Sequence, residues 1–177
     1  QRMSGAAGND SIVGGGGGDI LEGLGGNDSY IVDDSGALVI EEQDGGYDTV
    51  YTTVSYRLAA ESRVEVLSVY DRATTGALDL SGNGFDNLIY GNAGANRLGG
   101  GLGSDTLYGL GGADNFLFAD ALGTNNIDRL MDFQSGVDRL ELDRAIFGGV
   151  AAGVLTARAF ALGTQAREAD GRIIYDA

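Results

Sequence analysis

The chain contains no cysteine, proline, histidine or tryptophan, and its 11 basic residues are all arginine. Without cysteine it can form neither disulfides nor thiolate metal sites. Without histidine it has no HExxH zinc motif and no Ser-His or Cys-His nucleophile. Carboxylate pairs remain available for glycoside chemistry, but cation ligation or a turn accounts for nearly every regularly placed aspartate, so the chain itself is not expected to be an enzyme. No apolar run approaches the ~20 residues of a membrane helix, and residues 1–9 lack the charged and apolar regions of a cleaved signal peptide. The scarcity of positive charge matters equally. With 26 acidic residues against 11 basic ones the formal charge is -15, which argues against nucleic acid as a partner and suits hard cations that prefer oxygen ligands.

Glycine is what the chain has in excess, 32 of 177 residues. It opens every ninth residue at Gly82, Gly91, Gly100 and Gly109, giving GNGFDNLIY, GNAGANRLG, GGLGSDTLY and GLGGADNFL. The same frame occurs at Gly5, Gly14 and Gly23, as GAAGNDSIV, GGGGGDILE and GLGGNDSYI. Position eight of each frame is apolar: Ile12, Leu21, Tyr30, Ile89, Leu98, Leu107 and Phe116. A strict period with an aligned apolar position is a solenoid signature; a flexible glycine-rich linker is the alternative.

Between the blocks, residues 32–81 read as further coils. The strand-like runs are YIV, ALVIEE, DTVYTTVSY, VEVLSV and ALDL, bounded by Gly, Asp and Ser. Residues 58–63 (LAAESR) are long enough for one helical turn and are expected as an insertion between coils. Residues 126–143 read as two strands around a tight Ser-Gly-Val turn. A short helix is expected near residues 156–162 and a final strand at residues 172–175. The predicted fold is an all-β, right-handed parallel β-roll or β-helix over residues 1–143, with an irregular C-terminal cap over residues 144–177. The first repeat begins at Gly5, which suggests a fragment of a longer protein.

In each nonapeptide, positions seven to nine make a short strand whose middle side chain turns inward. The first six residues must then turn the chain, and glycines there admit positive φ. Two strands and two turns per coil stack residues 18 apart at ~4.8 Å, the spacing of neighbouring strands. An ion midway lies ~2.4 Å from each layer, a calcium–oxygen distance rather than a magnesium one.

GGGGGDILE, GLGGNDSYI and GGLGSDTLY resemble the GGxGxDxUx calcium-binding repeats of RTX proteins. The resemblance implies a parallel β-roll in which each ion is held by carbonyls of positions two and four plus Asp six of one repeat. Positions one and three plus Asp six of the repeat 18 residues on complete the site. Carried over, this pairs Ala6, Gly8 and Asp10 with Gly23, Gly25 and Asp28, the one full site with aspartate in both layers. It also pairs Asn83, Phe85 and Asn87 with Gly100, Leu102 and Asp105, and Asn92, Gly94 and Asn96 with Gly109, Gly111 and Asp114. Asparagine replaces one aspartate in each of the latter two, so they are expected to be weaker; an asparagine ladder without an ion is the alternative. Half-sites place Gly15, Gly17 and Asp19 against Val32 and Asp34, and Gly101, Gly103 and Asp105 against Phe118 and Asp120, with Asp132 falling 18 after Asp114.

DFQSGVDRLELD at residues 132–143 is similar to the segment that follows the repeats in serralysin-type proteases. Residues 64–69 with 81–92 resemble spacers of mannuronan epimerase R-modules. The family implies several calcium ions, a secreted bacterial protein, type I secretion machinery as a partner, and an active domain upstream. The leading expectation is therefore a module that folds on extracellular calcium. A calcium-dependent module binding anionic polysaccharide, with Tyr47, Tyr51, Tyr56, Tyr70 and Tyr90 lining a saccharide face, is the second expectation. A structural piece of a surface layer or adhesin is the third.

Overall fold

The structure is a computed structural model that describes residues 1–121, 123–147, 160–162 and 173–175. Gln1–Leu142 form one unit and Asp143–Ala177 a second. The first unit is a parallel β-solenoid with two flanks. One flank is a continuous seven-stranded sheet: β2 (Ser11–Val13), β4 (Ser29–Val32), β6 (Thr49–Thr52), β8 (Val66–Val69), β10 (Leu88–Tyr90), β12 (Thr106–Tyr108) and β14 (Arg129–Leu130). The other is split into a sheet of β1 (Arg2–Ser4), β3 (Ile20–Glu22) and β5 (Leu38–Ile40), and a sheet of β7 (Tyr56–Arg57), β9 (Asp79–Ser81), β11 (Arg97–Gly99), β13 (Asn115–Phe118) and β15 (Arg139–Leu142). Among the described residues there is no helix, hence none long and apolar enough to cross a membrane.

The register explains the apolar eighth position. Ile12 pairs with Tyr30, and Leu98 with Leu80 and Phe116, so each strand's middle residue stacks on its equivalent one coil away. Tyr30, Val50, Leu67, Ile89 and Leu107 from one flank meet Leu21, Val39, Leu80, Leu98 and Phe116 from the other in one core. Burying a large aliphatic or aromatic side chain yields about 1.5–3 kcal/mol. Strands of three residues make few hydrogen bonds each, so burial of the core column adds to the strand pairing that holds the solenoid.

The spacer continues the same coil, as the sequence predicts. DTVYTTVSY divides into β6 and β7 on opposite flanks. Residues 58–63 do not form a helical turn; Ser62 N–H donates to Ala59 O (3.1 Å) in an isolated turn. Arg63 N–H then donates to Glu41 O (3.0 Å), and Glu41 N–H to Ser62 Oγ (3.1 Å), so this loop covers the end of β5 where the second flank is split. The two strands of residues 126–143 are β14 and β15. They pair with β12 and β13 rather than with each other, because they are opposite flanks of one coil joined by a turn at Gln134–Val137, where Val137 N–H donates to Gln134 O.

In the second unit, Phe147 N–H donates to Asp143 O (2.8 Å), and β16 (Phe160–Leu162) pairs in parallel with β17 (Ile173–Tyr175). Residues 160–162 are thus strand where a helix is expected, because pairing with Ile173, Ile174 and Tyr175 outweighs the helix preference of alanine and leucine. Residues 156–159 and Arg172 lie outside the described residues.

Candidate metal centre

The turns between strands bring the position-six residues of successive coils into ladders. Asp10 N–H donates to Asp28 Oδ1, and Asp28 N–H to Asp48 Oδ1, both at 2.7 Å. Asp48 N–H donates to Glu65 Oε2 (2.7 Å), Asn87 N–H to Asp105 Oδ1 (2.6 Å), and Asp105 N–H to Asp128 Oδ1 (3.1 Å). At the opposite corner Asn96 N–H donates to Asp114 Oδ1 (2.7 Å) and Asp114 N–H to Asp138 Oδ1 (2.9 Å). One oxygen of each acceptor carboxylate therefore satisfies a backbone donor of the previous coil. What the second oxygen does differs between turns.

Five turns have positive φ at positions two and four: Gly15 and Gly17, Leu24 and Gly26, Asp44 and Gly46, Gly101 and Gly103, Leu110 and Gly112. All five end in aspartate, at Asp19, Asp28, Asp48, Asp105 and Asp114. Leu24, Asp44 and Leu110 pay of order 1–2 kcal/mol each to stand in the left-handed region, so the conformation is held in place by its surroundings. In the turn of residues 5–10, where position two is not left-handed, Ala6 N–H donates to Asp10 Oδ2 (2.7 Å). Asn83 N–H caps Asn87 Oδ1 (3.0 Å) and Gln134 N–H caps Asp138 Oδ2 (2.7 Å) in the same way. Left-handed position-two residues do not cap their own aspartate. Asp28, Asp48 and Asp105 keep a buried Oδ2 with no hydrogen-bond partner, although each is at most 1% exposed.

Position one must be small for this geometry. A Cβ on Gly23 would meet Asp28 Oδ2, Tyr30 Oη and Glu41 Oε1, and one on Gly100 would meet Asp105 Oδ2. Bare carboxylate oxygens in a buried site call for a cation. None of the three ion pairs among the described residues involves Asp28, Asp48, Asp105 or Asp114. Burial, reinforced by the charges of Glu65 and Asp28, pushes the Asp48 carboxyl up to about 6 from 3.8. Burial is also the first cause raising Asp105, Asp114 and Asp128, with Asp128 next to Asp105 adding repulsion and Asp138 beside Asp114 doing the same. An all-oxygen, anionic set of this kind fits calcium.

The residues expected to face one another do so within the blocks. Gly8 N–H donates to Gly25 O, Ala7 and Gly25 bridge, and Asp10 meets Asp28. Leu102 N–H donates to Asn83 O (3.0 Å) and Gly111 N–H to Asn92 O (3.2 Å), bringing Phe85 and Asn87 over Gly100, Gly103 and Asp105, and Asn96 over Gly109 and Asp114. In the last pairing the Asn96 amide fills the space between the two layers. Its Nδ2 donates to Gly94 O (2.7 Å), Asn92 O (3.3 Å), Asp114 Oδ1 (3.3 Å) and Gly109 O (3.5 Å), four of the oxygens that the family resemblance assigns to calcium, while its Oδ1 is buried without a partner.

Outside the blocks the register differs. Asp128, not Asp120, stands opposite Asp105; Asp120 is exposed and acts on Asp128 only through its charge. Asp138, not Asp132, stands opposite Asp114; Asp132 accepts the N–H groups of Gly109 (3.0 Å) and Leu110 (2.8 Å). The loops after Phe118 lengthen the coil to 23 and 24 residues between rungs, so counting 18 lands on the wrong aspartate. Asp34 is turned to Gly36 N–H (2.8 Å) in a local turn, leaving Gly15, Gly17 and Asp19 without it as a rung. Asp48 is a rung that the nine-residue frame misses, because its coil is 20 residues long.

Raised carboxyl pKa values give a pH test. A group held above its unfolded value stabilises the fold fully below that value, and the contribution is lost as pH rises through the folded one. For Asp48 the window runs from 3.8 to about 6. In calcium-free buffer, circular dichroism should show more β-structure at about pH 4.5 than at about pH 7.5, with the difference shrinking at saturating calcium; equal spectra at both pH values without calcium would contradict the buried, unpaired carboxylates.

A family model of the RTX calcium-binding nonapeptide repeat matches the chain in four copies, over residues 2–30 and 80–116. No curated protein and no solved structure matches the chain. The matched stretches contain four of the five left-handed, aspartate-ended turns in full, all but the one that ends at Asp48. These two blocks, residues 2–30 and 80–116, are therefore RTX calcium-binding nonapeptide repeats.

Proposed function

We propose that this calcium-binding repeat module folds on meeting extracellular calcium and so supports the secretion and stability of a larger exported bacterial protein, in which any catalytic or adhesive part lies elsewhere. The observation that carries the reading is the set of buried, partnerless oxygens on Asp28, Asp48 and Asp105. At low calcium these carboxylates repel one another, and a chain with 32 glycines retains a large backbone entropy; both favour the unfolded state. At millimolar calcium, weak extracellular-type sites fill, and bound cation supplies charge neutralisation that becomes folding energy. Asp10, Asp28, Asp48, Asp105 and Asp114, with the turn carbonyls beside them, are the residues to hold it. RTX repeats occur in secreted bacterial proteins, which supports an extracellular location and type I secretion machinery as the partner.

A second reading, calcium-dependent binding of an anionic polysaccharide, has one observation in its favour. Tyr51, Tyr90 and Tyr108 are half-buried and stand in register on the seven-stranded sheet, with the buried Ser68 between Tyr51 and Tyr90. Tyr90 and Tyr108 stack at 4.8 Å, Tyr70 lies edge-on to Tyr51, and the Arg72 guanidinium sits 3.9 Å over Tyr90. Aromatic faces beside a cation suit sugar rings bearing carboxylates. Tyr56 is buried and donates to Ala37 O (3.0 Å), and Tyr47 is on a turn, so neither belongs to this face.

Circular dichroism should change from disordered to β-rich on adding millimolar calcium and revert with chelator; a β spectrum that persists in chelator at neutral pH would rule out the switch. Asn96→Asp replaces the amide plug with a carboxylate and should raise the number of bound calcium ions per chain by one, measured calorimetrically; an unchanged count would mean that the plug is not standing in a cation's place. Titration with uronate oligosaccharides at saturating calcium separates the second reading: shifts in the amide spectrum that Tyr90→Ala abolishes support it, and silence dismisses it.

A further inference from the structure

The turn after β5 does something that the repeats do not. Glu41, at the end of that strand, lies outside the matched residues, yet its side chain enters the coil interior and is 2% exposed. There its carboxylate joins those of Asp28 and Asp48. Each of the three offers an oxygen, and these oxygens lie within 4.8 Å of one another. Each carboxylate has one oxygen anchored by the protein: Asp28 Oδ1 by Asp10 N–H, Asp48 Oδ1 by Asp28 N–H, and Glu41 Oε1 by the Tyr30 hydroxyl. Each leaves the other oxygen, Asp28 Oδ2, Asp48 Oδ2 and Glu41 Oε2, buried and without a partner.

We propose that Asp28, Glu41 and Asp48 form a carboxylate cage for one divalent cation, separate in chemistry from the carbonyl-lined nonapeptide sites and the tightest site in the chain. Three acidic side chains converge with no ion pair among the described residues to neutralise them, since those pairs lie at Asp19, Glu22 and Glu141. Tyr30 is a core residue, 0% exposed, so its hydroxyl fixes Glu41 Oε1 from the apolar side, while Glu41 Oε2 and Asp48 Oδ2 both lie beside Gly45. Gly23 leaves the space: a Cβ there would meet all three of Asp28 Oδ2, Tyr30 Oη and Glu41 Oε1. Oxygens up to 4.8 Å apart suit a cation bound at about 2.4 Å, so calcium is the ion of choice and magnesium, which wants about 2.1 Å and octahedral order, is disfavoured. Affinity rises with the number of charged ligands, and three carboxylates here exceed the two of any nonapeptide pair. The cage stands between the first repeat block and the spacer, and filling it ties β4 to β6 and the end of β5.

The proposal rests on the calcium-binding reading through Asp28, and the test keeps the two apart. In Glu41→Gln, calorimetric titration with calcium should show one ion fewer per chain, and the calcium midpoint of folding should rise about tenfold. In calcium-free buffer the same variant should be more structured than the wild type, since a buried charge is gone; a purely structural role for Glu41 as acceptor of the Tyr30 hydroxyl, which the amide oxygen of the variant preserves, predicts no change under either condition. Wild-type stoichiometry and midpoint in Glu41→Gln, alongside normal calcium-coupled folding of the wild type, overturn the cage alone, whereas a wild type that binds no calcium overturns the broader reading. Terbium, a luminescent calcium substitute, gives an independent arm that decides the matter if Glu41→Gln does not fold. At one equivalent, emission sensitised through tyrosine should fall several-fold in Tyr30→Phe, and undiminished emission overturns the proposal.

Discussion

The structure depends on one repeated contact, the backbone N–H of a position-six residue donating to the side-chain oxygen of its counterpart in the next coil. A solenoid of three-residue strands has few backbone hydrogen bonds per coil, and its turns would otherwise leave a buried donor at each strand entrance. The ladder from Asp10 through Asp28 and Asp48 to Glu65, with its continuation at Asn87, Asp105 and Asp128, satisfies that donor with a charge-assisted bond. The same device creates the electrostatic problem. Aligning one oxygen of every carboxylate places the others in a column of like charge at the spacing of neighbouring strands, and left-handed residues at position two withdraw the N–H that would cap them.

Asparagine resolves the problem without a cation in part of the column. Asn96 gives its N–H to Asp114 as an aspartate would, then turns its amide back onto the carbonyls of Asn92 and Gly94. Asn87 gives its N–H to Asp105 and its amide to Val64 O (2.9 Å). Neither of their turns contains a left-handed residue. The choice between Asp and Asn at position six thus accompanies a choice of backbone conformation: aspartate with a free oxygen goes with a strained turn, and asparagine with a relaxed, self-satisfied one.

Much of this was legible in the sequence. The apolar eighth position identified Leu21, Tyr30, Ile89, Leu98, Leu107 and Phe116 as the core, and all are 0% exposed. The nine-residue frame placed Asp10 over Asp28 and Asn96 over Asp114, because inside the blocks every coil has the same length. It failed at Asp48, Asp128 and Asp138, where coils lengthen and a fixed count no longer tracks three-dimensional register; the QDGGYD stretch before Thr49, read with a two-residue allowance, would have found Asp48. Glu41 carried no such signal. It lies at a strand end, where an acidic residue ordinarily faces water, and only the room left by Gly23 and the hydroxyl of Tyr30 turn it inward.

The split in the second flank has a consequence for how such a protein can vary. The seven-stranded sheet runs unbroken from β2 to β14, while the opposite wall is interrupted between β5 and β7, and there the loop of residues 58–63 passes across the gap. One wall acts as a spine that keeps count of the coils; the other tolerates a missing rib. Added or deleted loop residues can therefore be absorbed at the corners on the interrupted side without shifting the alignment of the spine, so an ancestor could lengthen one coil and acquire a new surface there while every neighbouring layer kept its partner.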